Sequence, residues 1–124
     1  MFGMQIPGFM LKQMYRKGSL ENLEAAFQFE VHNHLMPAMI VAVREVTVAG
    51  MTYELADVEF SDGANTRGAA SVSEDSPVDF GKGTTIQVRV NGYRVNPGEH
   101  QLRLKVKTEE FGSIAIEVSD TLSA

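Results

Sequence analysis

The chain has no cysteine, no tryptophan and only 4 prolines in 124 residues. Without cysteine there is no disulfide framework, no thiolate nucleophile and no thiolate metal site, which excludes zinc ribbons and cysteine catalysis. A reducing, cytoplasmic setting suits such a chain. An excess of positive charge is missing too: 11 Lys and Arg stand against 16 Asp and Glu, a formal net charge of -5. This balance argues against a dedicated nucleic-acid binder, whose affinity comes largely from neutralising phosphates. Long apolar runs are also lacking. The most apolar stretch, Met1 to Leu11, is broken by Gly3, Pro7 and Gly8 and follows no basic segment, so it reads as neither a signal peptide nor a membrane span. No membrane partner is expected.

What is present is strict alternation. Thr84 to Val90, Leu102 to Val106 and Ile114 to Val118 each place apolar residues at every second position, with polar ones between. Side chains along a strand point to opposite faces, so each segment offers one face to a core and one to water. Ala26 to His34 has the same form, with Phe27, Phe29 and Val31 on one face and Gln28, Glu30, His32 and His34 on the other. Pro37 is expected to end that strand, since proline supplies no ladder donor.

Turn signals divide the rest. Ala49-Gly50 separates Val46-Thr47-Val48 from Met51-Thr52-Tyr53 at the spacing of a tight hairpin, with Gly50 supplying positive φ. Ser61-Asp62-Gly63 closes a short strand at Val58 to Phe60, and Ala64 to Gly83 reads as a loop carrying one short strand. Asn91-Gly92, Asn96-Pro97-Gly98 and Phe111-Gly112 mark further turns. The pattern predicts an all-β, single-domain antiparallel β-sandwich of about seven to nine short strands. An apolar N-terminal arm over residues 1–14 precedes the sandwich domain of residues 15–124.

Few residues are left over for chemistry. Glu30, His32 and His34 share one strand face, and two imidazoles with a carboxylate form a legitimate ligand set for a divalent metal. A solvated strand face is the simpler reading of the same residues. His100 has the parity of Leu102 and Leu104, which places it at the core edge as a hydrogen-bonded structural histidine. Arg103, Lys105 and Lys107 form a cationic row, reinforced by Arg89 if that residue lies on a neighbouring strand. Solvation and protection of a sheet edge account for such a row. Asp57, Glu59 and Asp62 lack the spacing of a calcium loop. Gly81-Lys82-Gly83 precedes a strand rather than a helix and so forms no phosphate cradle. The arm is rich in Met, a pliable contact residue, and Phe2, Met4, Ile6, Phe9 and Met10, joined by Leu35 and Met36, form the expected partner-binding set.

Ser19-Leu20-Glu21-Asn22, Phe27-Gln28-Phe29, the Val-Thr-Val hairpin at Ala49-Gly50, Phe80-Gly81 and Pro97-Gly98-Glu99-His100 together resemble the β subunit of C-glycoside deglycosidases and related short prokaryotic proteins. The resemblance runs from about Ser19 to Val106, mostly through turn and core positions. It implies a non-catalytic β-sandwich subunit that docks on a larger, barrel-type catalytic subunit, which holds a divalent metal and cleaves the carbon–carbon bond of oxidised C-glycosides. No cofactor is then expected in this chain. The expected partner is that larger subunit or a second copy of the chain. Two alternatives come from the residues themselves: an autonomous metal-dependent enzyme using Glu30, His32 and His34, and a homo-oligomeric carbohydrate-binding module. The module reading has little aromatic surface to stack on sugars, with no Trp and 3 Tyr.

Overall fold

A computed structural model describes residues 6–35 and 37–123. Ten strands form two antiparallel sheets that face each other across one core. The first sheet contains β1 (Glu21–Asn22), β2 (Ala26–His32), β5 (Val58–Ser61), β6 (Thr66–Gly68) and β8 (Thr85–Asn91), in the order β1-β2-β8-β5-β6. The second contains β3 (Met39–Val48), β4 (Met51–Thr52), β9 (Gly98–Thr108) and β10 (Gly112–Leu122), in the order β10-β9-β3-β4. Strand β7 (Val78–Asp79) pairs with the start of β3. This is the all-β sandwich that the alternation predicts. The additional strands are pieces of two or three residues, too short to show a period.

Register explains the core. Phe27 lies opposite Val90, and Val90 opposite Val58; Phe29, Val88 and Phe60 form the next row. In the facing sheet Val43, Val106 and Ile114 share a row, followed by Val46, Leu104 and Ile116. All of these residues are buried. Rows of directly opposed apolar side chains are the unit from which a sheet face draws its stability.

Strand β3 is less regular than its β-branched composition suggests. Its pairing with β9 shifts register between Ile40 and Ala42 and again between Val43 and Glu45. Each bulge adds one residue and so exchanges the two faces of the strand. The residues facing the core are thereby Ile40, Val43, Val46 and Val48, a set that no single period of two could produce. At the end of β3 both hairpin residues have positive φ, 57° at Ala49 and 79° at Gly50, as a two-residue turn of this hand requires.

The arm contains a short helix, α1 (Gly8–Gln13), which packs on β10. Behind it Tyr15 forms a bridge with Val31: the Arg16 N–H donates to the Glu30 carbonyl, and the His32 N–H to the Met14 carbonyl. The segment therefore extends the β1 edge of one sheet while lying against the outer strand of the other. Strand β10 has 11 residues and would otherwise be a long bare edge. A covering segment is one of the ways proteins blunt such edges.

Three expectations need correction. Strand β2 ends at His32, well before Pro37; beyond it the Asn33 backbone N–H donates to the Thr84 carbonyl at 3.0 Å and its side-chain amide to the Phe80 carbonyl at 2.6 Å, which turns the chain toward the Phe80 loop. The stretch from Ala64 to Gly83 holds β6, β7 and a 3-10 turn at Ala69–Ser71 rather than a single strand. Arg89 lies on β8, in the sheet opposite β9, so it cannot extend the row of Arg103, Lys105 and Lys107. Phe2, Met4 and Met36 of the expected contact set lie outside the described residues.

Candidate functional site

The two sheets are joined on one side by a buried polar cluster. Asp120 follows Ile114, Ile116 and Val118 at inward parity and is 3% exposed, a charged residue where the pattern calls for an apolar one. Its carboxylate accepts the Tyr15 hydroxyl at 2.5 Å, the Gly18 N–H at 3.0 Å and the Leu20 N–H at 3.3 Å. The Thr121 N–H donates to its other oxygen at 2.9 Å. Burial alone would raise the Asp120 carboxyl, but the Tyr15 hydroxyl and these N–H groups outweigh it and hold the group below the ordinary carboxylate range. Burial first, and the adjoining carboxylate second, push the Tyr15 phenol well above its ordinary value. The pair is therefore a neutral donor on an anion, a strong charge-assisted bond. It fastens the arm rather than offering a proton to a substrate.

The outer face of the first sheet carries the candidate ligands. Glu30 is paired with Arg16 at 2.9 Å and accepts the Gln87 amide at 3.2 Å. The His32 ring nitrogen Nδ1 shares a hydrogen bond of 2.7 Å with the Thr85 hydroxyl. His34 lies beyond the strand and stacks on His32, with ring centroids 6.4 Å apart and planes 10° from parallel. The fold thus brings the two imidazoles together, while the carboxylate is directed to an arginine. Among the described residues no group of three or more His, Cys, Asp and Glu is placed to hold a metal ion. The same face continues as a hydrogen-bonded polar lattice: the Gln28 amide donates to Glu21 and accepts from Arg89, and Asn91 donates to Glu59.

His100 is half-buried on β9, its Nε2 at 2.7 Å from the Asn96 carbonyl. Asp62 accepts the N–H groups of Ala64 and Asn65, which lower its carboxyl and make it a turn residue. Asn22 clasps the backbone of Val95, donating to its carbonyl at 2.7 Å and accepting its N–H at 2.9 Å. Among the described residues every buried side-chain nitrogen and oxygen has a partner. The open clefts among the described residues include one of about 310 Å³ floored by Phe60 and Ile86, one of about 750 Å³ beside Leu20, Asn22 and Val95 and one of about 470 Å³ beside Val41, Lys107 and Thr108. The buried polar residue on their linings, Thr108, has its hydroxyl bonded to the Gly112 carbonyl and the Phe111 N–H.

Of the expected contact residues that are described, Ile6, Met10 and Leu35 are half-buried and Phe9 is 67% exposed, the most exposed large apolar side chain in the fold. Leu35 packs against the edge of the core, as does Leu11 of α1. Sequence reasoning missed the Tyr15–Asp120 link, although one signal was available: a carboxylate at core parity near the end of an alternating run.

Fold and site together define a two-sheet antiparallel β-sandwich whose polar groups are committed to its own architecture. Residues 10–123 match the family described as hydroxymethylglutaryl-CoA reductase, N-terminal domain, and the chain belongs to that family. No curated protein matches it. The family assignment overturns the resemblance to the C-glycoside deglycosidase β subunit, together with the docking role on a C-glycoside-cleaving barrel that it implied. It equally gives no support to an autonomous metal enzyme or a carbohydrate-binding module. The earlier likeness rested on turn and core residues such as Gly50, Phe27 and Pro97, which many small sandwiches need for the same physical reasons. Among the described residues no helix is long and apolar enough to cross a membrane.

Proposed function

We propose that this chain serves a hydroxymethylglutaryl-CoA reductase as its N-terminal domain, acting by contact with the catalytic portion rather than by chemistry of its own. The observation that carries this reading is the family match across residues 10–123, which takes in both sheets and most of α1. The site geometry agrees with it. Tyr15, Asp120, Glu30 and His32 are all engaged within the fold, whereas a general acid or base must be able to reach a substrate proton. Contact is also the better use of a rigid sandwich with an apolar end. A cytoplasmic location belongs to the same proposal, since a chain without cysteine has no need of an oxidising compartment.

The test is light scattering on the chain mixed with the catalytic portion of the reductase from the same source, with reductase turnover read on the same samples. The expected result is a stoichiometric complex and no turnover by the chain alone. Two species that elute independently at micromolar concentration would reject it.

A further inference from the structure

All 16 Asp and Glu residues lie beyond residue 20, so the first 20 residues carry Lys12, Arg16 and Lys17 with no acidic side chain among them. A chain of formal net charge -5 thus has one locally cationic end. Phe9 stands at the same end, 67% exposed on α1. Phe9 and Lys12 are three residues apart on this helix and so share a face. Arg16 is paired with Glu30, and Lys17 reaches the Ser119 carbonyl at 3.4 Å. Lys12 makes no ion pair among the described residues. Ile6, Met10 and Leu11 of the same segment are half-buried, which leaves Phe9 as its exposed apolar side chain.

From this we infer that α1 is a docking surface in which Phe9 enters an apolar recess on a partner protein, and that the recess is rimmed by carboxylates which meet Lys12 and Lys17. The inference rests on the proposed function and deepens it by stating the chemistry of the surface that receives the domain. An exposed aromatic on a fixed element has the form of an interface anchor, and a charged rim adds orientation and rate of association. The helix also rests on a fixed base. The residues behind it are bonded to β2 and, through Tyr15 and Gly18, to Asp120 on β10, so little ordering is left to be done on binding. A lipid surface fits less well, because α1 has 6 residues and a single exposed aromatic, whereas helices that lie in a bilayer interface present a broad apolar face.

The experiment is a calorimetric titration of the chain into the reductase catalytic portion, using wild type, Phe9→Ala, Lys12→Glu and Lys12→Arg, at low and high salt. Phe9 and Lys12 are exposed, so the variants should fold, and urea midpoints equal to wild type confirm it. Phe9→Ala should weaken binding about tenfold. Lys12→Glu should weaken it at low salt, Lys12→Arg should not, and salt should weaken the wild type. Wild-type binding that is unchanged in Phe9→Ala and Lys12→Glu overturns the inference alone. Absence of wild-type binding overturns the proposed function. Phe9-dependent binding to vesicles of anionic phospholipid, with none to the protein, assigns the face to a membrane and overturns both.

Discussion

The Tyr15 hydroxyl lies 2.5 Å from the Asp120 carboxylate, a contact between residues 105 positions apart that joins the arm to the last strand. Gly18 and Leu20 donate backbone N–H groups to the same carboxylate. One buried anion thus gathers three donors from a six-residue segment and holds it across the gap between the sheets. Tyr15→Phe keeps the ring and removes only the hydroxyl, leaving Asp120 short of its shortest bond. We expect a loss of about 1–3 kcal/mol, measured as a lower urea midpoint with an unchanged slope. Asp120→Ala should cost more, since it strands all three donors together.

The same cluster contributes to the pH dependence of stability at both ends. The Asp120 carboxyl is held below its ordinary value of 3.8 in the folded chain, so folding favours its ionised form. Its contribution is complete above that value and is lost as pH falls from there through the depressed folded value. The Tyr15 phenol is raised above its ordinary 10.0, so folding favours the neutral form, and that contribution is lost as pH climbs beyond 10.0. Urea midpoints across both windows should fall in the wild type. Tyr15→Phe should lessen the alkaline decline, which the raised Tyr53 phenol shares, and Asp120→Asn should lessen the acid one, which the lowered Glu45 and Asp62 carboxyls share.

Ala49 has φ 57° in an exposed hairpin turn. A Cβ in this left-handed region is strained, and asparagine tolerates it better. Ala49→Asn should stabilise the protein by about 1 kcal/mol, seen as a rise in Tm with no change in native mass. A fall in Tm would show that the turn is set by something other than its own backbone.

Burial, not surface charge, should dominate stability. Phe29 is 1% exposed, sits in the row with Val88 and Phe60 and touches the Tyr15 ring at a centroid distance of 6.0 Å. Phe29→Ala should cost about 3–5 kcal/mol. Arg103 bridges Glu45 at 3.5 Å and Glu117 at 2.6 Å on an exposed sheet face, where water and salt screen the attraction. Arg103→Ala should leave the urea midpoint within error of wild type.

The strands that carry most of the core were legible because their neighbours lie in register without interruption. Val88 and Val90, Leu102 to Val106, and Ile114 with Ile116 keep one parity from end to end. Strand β3 was legible only as β-branched, since its two bulges reset the parity between Ile40 and Glu45 and no periodic reading follows such resets. Pieces such as β6 and β7 pair with β5 and β3 over two or three residues, and Arg67 ties the loop between them by donating to the carbonyls of Ser71, Ser76 and Pro77. Neither a short ladder nor a single side-chain link leaves a period in the sequence. Of the candidate site, the shared face of His32 and His34 could be read from parity. The pairing of Glu30 with Arg16 could not, because it depends on the arm lying beside β2. The family resemblance failed for a related reason: hairpin and core residues report the sandwich, and the sandwich is common to many functions.

On the proposed function, this domain works by contact through its arm. Hydrogen exchange on the chain, with and without the catalytic portion of the reductase, tests it most directly. Docking through α1 predicts slower exchange over residues 8–17 in the complex, with the polar face at Gln28, Glu30 and Gln87 unchanged. Protection confined to that polar face, or no change along the chain, would contradict it.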